Sequence, residues 1–266
     1  MGSIIVLLSG FIIVNSVQIN YILVPQAVQN NSHQPIIIDC NYSLRPDGTD
    51  LVLQWYLNEQ KIYHWVPPNK PQALGLLKDR LDLNFEASVD VLSRYRALKI
   101  ENPTVDLAGE YKCYVSTSID EDFATRKLIV FEPEKLFFLN HSYEDAKTVN
   151  FTCVVADIYP EPSMIIYTNK KEKRLDRILQ PIQWGTSKEQ NGRYTMTLTA
   201  STFIETLDAG SVISCELRIP GTSYSKRKTL LYYPLEMRSW NRGPIVGGSY
   251  LHVSILLICQ GSIIFL

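Results

Sequence analysis

Two cysteines 73 residues apart, Cys40 and Cys113, with Trp55 between them and Tyr111 two residues before the second, constrain this chain more than anything else in it. A tyrosine two positions from a cysteine on a strand shares its face, so all four residues can meet in one apolar layer. The flanking segments are strands. Ile36-Ile37-Ile38 is a β-branched run leading into Cys40, and Arg45-Pro46-Asp47-Gly48 is a turn. Leu51, Leu53 and Trp55 then alternate with Val52, Gln54 and Tyr56, and Glu110 to Val115 alternates in the same way.

Short alternating strands around that set of residues describe an all-β fold of the immunoglobulin kind, with Trp55 on a Cys40–Cys113 bridge and Tyr111 making the corner hydrogen bond. One departure stands out. The usual pattern has Asp six residues before the second Cys; position 107 is Leu, and Asp106 lies one residue early. That puts in doubt the ion pair this Asp makes at the sandwich edge. The long spacing leaves room for the extra hairpin of a variable-type domain, with Gln60 to Trp65 as its strand and Pro67-Pro68 blunting the end.

The pattern repeats once, in weaker form. Cys153 and Cys215 lie 62 residues apart, and Ile158-Tyr159-Pro160-Glu161-Pro162 resembles the turn after the first Cys strand of a constant-type domain. Tyr167 stands in for the core Trp, Ile213 occupies the corner-Tyr position, and Asn191-Gly192 is a hairpin turn. Four cysteines allow three pairings; the repeat selects the sequential one, Cys40–Cys113 and Cys153–Cys215. The expected architecture is two tandem sandwiches, variable-type over 22–132 and degenerate constant-type over 133–234. Their junction near Phe131–Glu134 is short enough for a stiff pair.

The ends point outside the cell. Residues 4–14 are apolar, and Val14 and Ser16 fit the small residues before a signal-peptidase cut, giving a leader over 1–16 that lacks a basic start. Residues 250–266 form an uncharged apolar tail that as a helix would span about 25 Å, short of a hydrocarbon core of about 30 Å. With Asn241 as attachment residue (Ser239 and Gly243 are rivals), the polar spacer within 235–249 has the length of a glycolipid-anchor signal. The expectation is GPI anchoring at the plasma membrane, with a short single-pass helix as the alternative. Cleavage would also remove Cys259, the odd thiol.

Lys plus Arg total 26 against 27 Asp plus Glu, a balance that argues against nucleic acid as partner. The four histidines, His33, His64, His141 and His252, neighbour no nucleophile elbow, and no HExxH, GxGxxG or phosphate loop occurs. The expectation is therefore no enzyme, no cofactor, no metal and no small-molecule substrate. Sequons at Asn30, Asn41, Asn140 and Asn150 predict a glycoprotein; Asn102 is excluded by Pro103. The basic runs Lys170-Lys171-Glu172-Lys173-Arg174 and Lys226-Arg227-Lys228 read as solvated surface of the second domain.

A partner-binding surface is expected on the first domain. Gln54, Tyr56, Tyr63 and Trp65 on neighbouring strands, beside the acidic tip Asp120-Glu121-Asp122, would supply rigid anchors and a charge for steering. An alternative places Ile62 and His64 outward instead of Tyr63 and Trp65.

Trp55-Tyr56, the aromatic-rich Tyr63, Trp65 and Pro67, and the stretch with Leu107, Gly109, Tyr111, Cys113, Val115 and Ser116 together resemble the insect beaten-path proteins, over roughly residues 22–233. That family shares the displaced residue at position 107, whereas the second domain here is closer to a generic constant-type module. The resemblance implies cell-surface recognition, with the first domain binding a multi-immunoglobulin receptor of the sidestep type in axon guidance. A secreted or surface immune-type factor binding a microbial or humoral ligand is the alternative.

Overall fold

The computed structural model describes residues 17–169 and 176–234. The leader, the 170–174 basic run, and the tail with Asn241 and Cys259 lie outside the described residues. The chain forms two immunoglobulin-like sandwiches.

Nine strands build the first. β1 (Gln18–Leu23), β3 (Ile36–Ser43) and β7 (Leu98–Ile100) form one sheet, in the order β1-β3-β7. The other has six strands, in the order β2-β9-β8-β4-β5-β6. These are β2 (Ala27–Gln29), β4 (Val52–Leu57), β5 (Gln60–Trp65), β6 (Gln72–Ala73), β8 (Gly109–Ser116) and β9 (Glu121–Phe131). β2 runs parallel to β9 while β1 pairs antiparallel with β3, so the first segment of chain switches sheets within a few residues. The β5–β6 extension marks the variable type.

The core follows from alternation. β4 reads buried at Leu53, Trp55 and Leu57, and β8 at Tyr111, Cys113 and Val115. Trp55 lies opposite Cys113, which is bonded to Cys40. The Tyr111 hydroxyl donates to the Leu107 carbonyl at 3.0 Å. A 3-10 turn over Val105–Leu107 turns Leu107 into the core and leaves Asp106 outside, 2.9 Å from Arg80. The edge ion pair therefore exists, because the residue added by Ala108 is taken up after that turn. Gly109 then passes against Asn58, where a Cβ would lie 2.4 Å from the amide oxygen that accepts from Glu110 N–H.

The second sandwich stacks the sheet β10-β11-β15-β14 on the sheet β13-β12-β16-β17. The first comprises β10 (Leu136–Tyr143), β11 (Thr148–Ile158), β14 (Pro181–Lys188) and β15 (Tyr194–Phe203). The second comprises β12 (Ser163–Asn169), β13 (Asp176–Ile178), β16 (Ser211–Arg218) and β17 (Ser225–Tyr232). Cys153 on β11 is bonded to Cys215 on β16. Here the position expected of the core Trp is corrected by one residue. Ile166 lies opposite Cys215 and belongs to the core cluster, whereas Tyr167 lies opposite Ser214 and points to the other face of the sheet, where it is also buried, with the Arg227 guanidinium 5.6 Å from its ring.

The junction is short and well bonded. Glu132 and Tyr159 exchange both backbone hydrogen bonds, and Arg193 pairs with Glu132 and with Asp157. Asn30 Nδ2 donates to Glu132 Oε2 at 2.8 Å, and the Phe131 ring packs 5.5 Å from that of Tyr224.

Candidate protein-binding face

The six-stranded sheet turns one face to solvent, and its composition can be followed outward from Cys113. With Tyr111, Cys113 and Val115 buried, the intervening Lys112, Tyr114 and Ser116 point away from the core. Strand register then defines rows across the sheet. Phe123 of β9, Tyr114 of β8, Gln54 of β4, His64 of β5 and Gln72 of β6 stand side by side. Thr125, Lys112, Tyr56 and Lys61 form the next row.

Contacts within these rows hold the side chains. The Tyr56 hydroxyl donates to Gln54 Oε1 at 2.5 Å, and Gln54 Nε2 lies 3.3 Å from His64 Nδ1. The Lys112 ammonium sits 4.8 Å from the Tyr56 ring centre and 5.8 Å from that of Phe123, with Lys61 6.0 Å from Tyr56 on the other side. Cations over aromatic faces stiffen both partners. Tyr114 donates its hydroxyl to Glu121, and that bond pushes the Tyr114 hydroxyl above its ordinary pKa. Phe123 is 62% exposed, a large apolar ring held out to solvent.

Tyr63 and Trp65 are not on this face, which corrects the expectation made for them. They are 2% and 1% exposed. A bulge explains it: Trp55 lies opposite Tyr63, yet Tyr56 lies opposite Lys61, so Ile62 is an extra residue on β5. Tyr63 and Trp65 thereby share the inner side with Trp55 and Leu53. Their polar tips are satisfied inside, Tyr63 Oη donating to Tyr95 O at 2.7 Å and Trp65 Nε1 to Asn69 O at 2.9 Å. The bulge also admits Ile62 to the core, leaving His64 facing outward.

The acidic tip needs a second correction. Asp120 and Asp122 do not form a free charged rim: Asp120 Oδ2 accepts from Val17 N–H at 3.1 Å and Asp122 Oδ2 from Ile19 N–H at 2.7 Å. Asp122 lies opposite the buried Val115 and so points toward the β1 side of the sandwich. Only Glu121, bound by Tyr114, belongs to the open face.

The four sequons differ in setting. Asn140 is exposed on β10. Asn41 on β3 accepts from Asn20 through Oδ1. Asn150 lies on β11 between β10 and β15, its Nδ2 3.3 Å from Glu144. Asn30 uses both ends of its amide at the junction, donating to Glu132 and accepting from Val105 N–H. The Lys226-Arg227-Lys228 run lies on β17, with Lys226 paired to Glu134 and Arg227 to Glu216. Among the described residues no helix is long and apolar enough to cross a membrane.

No family model and no curated protein matches this chain. Solved structures do resemble it. Bovine butyrophilin is similar with a TM-score of 0.58 at 14% identity, covering 77% of this chain and 93% of that one. Lower similarity is found to ICOS in complex with ICOS-L and an anti ICOS-L VNAR domain, with a TM-score of 0.49 at 13% identity over 77% and 98%. The extracellular portion of mouse CD200RLa gives 0.47 at 12% over 78% and 99%. At such identities the likeness speaks to the fold alone, and that fold is the immunoglobulin-like sandwich.

Proposed function

We propose that this protein is a non-enzymatic cell-surface recognition molecule whose first domain binds another protein through the solvent face of its six-stranded sheet. The carrying observation is the exposed Phe123 ring set in a row of ordered side chains beside Lys112 and Lys61. A rigid aromatic anchor surrounded by satisfied polar groups is the composition of an interface centre. The face offers the Lys112 and Lys61 ammonium groups on one side of Phe123 and Glu121 on the other, so the complementary partner surface carries an apolar socket with charges of both signs at its edge. The sequence resemblance to beaten-path proteins supports a receptor of the immunoglobulin superfamily as that partner, in neuronal guidance. The apolar C-terminal segment supports a glycolipid anchor.

Binding of the secreted ectodomain to a panel of immunoglobulin-superfamily ectodomains, read by surface plasmon resonance, tests the face. Phe123→Ala is expected to weaken the cognate interaction about thirtyfold with an unchanged melting temperature. Equal affinity for Phe123→Ala, Tyr114→Ala and Lys112→Ala would remove this surface from consideration. Phospholipase treatment of expressing cells tests the anchor: release of the ectodomain supports the lipid, and retention beside a working control means a membrane helix.

A further inference from the structure

The buried nitrogen of Val17 meets a carboxylate at the very bond where the sequence places the end of the leader. Val17 is 3% exposed and belongs to the core cluster of the first domain. Its nitrogen faces Asp120 Oδ2 at 3.1 Å, while Asp120 Oδ1 accepts from Glu121 N–H at 2.8 Å. Two residues on, Ile19 N–H meets the Asp122 carboxylate. Two carboxylates thus converge on the chain where it enters β1. The charged groups around them are Glu121 on β9 and Arg45, which is paired with Asp47 at 2.8 Å in the turn after β3. A carboxylate serves the ordinary amide of Ile19 in the same way; an ammonium at Val17 would add a full opposite charge to the contact with Asp120.

We propose that Asp120 is the socket for a processed amino terminus: hydrolysis of the Ser16–Val17 bond frees the Val17 α-amine, and its ammonium pairs with the Asp120 carboxylate. The proposal rests on the secretory leader expected from the sequence, whose small residues Val14 and Ser16 place the cut at the same bond. The hydrolysis, by signal peptidase, consumes one water and leaves a carboxylate on Ser16 and an ammonium on Val17. The buried Val17 side chain fixes the register, so a chain one residue longer or shorter would place its charge away from the socket. Processing then does more than remove a leader; it completes the first sandwich by converting a hydrogen bond into an ion pair.

The pH dependence has a definite sign. A free α-amine titrates at about 7.7–8.0 in an unfolded chain, and a neighbouring carboxylate raises that value in the folded one. The ammonium's contribution is therefore whole below the unfolded value of about 7.7–8.0, so long as its carboxylate partner is charged, and is lost as pH rises through the raised value.

The experiment uses the full chain secreted from eukaryotic cells, with N-terminal sequencing and thermal unfolding at pH 7 and pH 10. Sequencing is expected to begin at Val17; any other first residue overturns the proposal. Asp120→Asn, which keeps an acceptor for Glu121 N–H, is expected to lower the melting temperature at pH 7 by about 4 °C and to narrow its difference from the parent at pH 10. A second variant with one alanine inserted before Val17 keeps Asp120 and is expected to melt like Asp120→Asn. Unfolding curves of parent and both variants that shift in parallel between the two pH values would overturn the ion pair.

Discussion

Tyr63 and Tyr111 bury phenol hydroxyls in the first sandwich, each donating to a backbone carbonyl, and burial pushes both above the ordinary tyrosine value. The folded state therefore keeps protons that the unfolded chain releases near pH 10. Stability from this source is whole below that pH and falls above it, by about 1.4 kcal/mol per pH unit for each tyrosine. Urea unfolding at pH 9, 10 and 11 should show the decline, and Tyr63→Phe should flatten it by one tyrosine's share. At the same scale sit the features that a sequence hides. Asp120 and Asp122 read as a solvent-facing acid run because the groups they bind, the backbone amides of Val17 and Ile19, lie about a hundred residues away along the chain. Tyr167 reads as the core aromatic because a one-residue difference in where β12 begins is invisible until its pairing with β16 is known.

The elements show where periodicity is enough and where it fails. Alternation along β4 and β8, anchored at Trp55 and Cys113, reveals the sandwich and its inner face without coordinates, and it places Gln54 and Tyr56 outside. The same counting from Cys113 would have found Lys112 and Tyr114, and pairing from Tyr114 would have reached Phe123. It fails on β5, where the bulge at Ile62 resets the parity and sends Tyr63 and Trp65 inward. The consequence is measurable. Trp65→Ala should cost about 3–5 kcal/mol in chemical unfolding, as a core truncation does. His64→Ala, one position away and facing outward, should stay within about 0.5 kcal/mol. Equal effects would mean that the bulge is absent in solution.

For the whole molecule the elbow decides what the two sandwiches can do together. Arg193 of the second domain reaches Glu132 at the junction, and Glu132 also holds Asn30 of the first. Arg193→Ala is expected to loosen the pair, seen as a broader distance distribution in small-angle scattering with both domains still folded; an unchanged distribution would assign the stiffness to the backbone exchange between Glu132 and Tyr159 alone. Domain order and cystine pairing could be reasoned from cysteine spacing, but this elbow could not, because its bonds join segments that carry no motif. The strand β9 gives the arrangement a mechanical meaning. One continuous strand holds Phe123 near one end and Phe131, packed on Tyr224, at the other, about 26 Å apart at ordinary strand rise. A partner that grips the Phe123 end and a membrane that holds the second domain would pull along this strand. Its pairing with β8 throughout Gly109–Ser116 is then sheared sideways, so the bonds resist as a set instead of opening one by one, and the bonded Cys113 on β8 limits how far that neighbour can travel. If the proposed recognition role holds, a molecule built this way would carry tension between two cells along the direction in which its sheet is sheared.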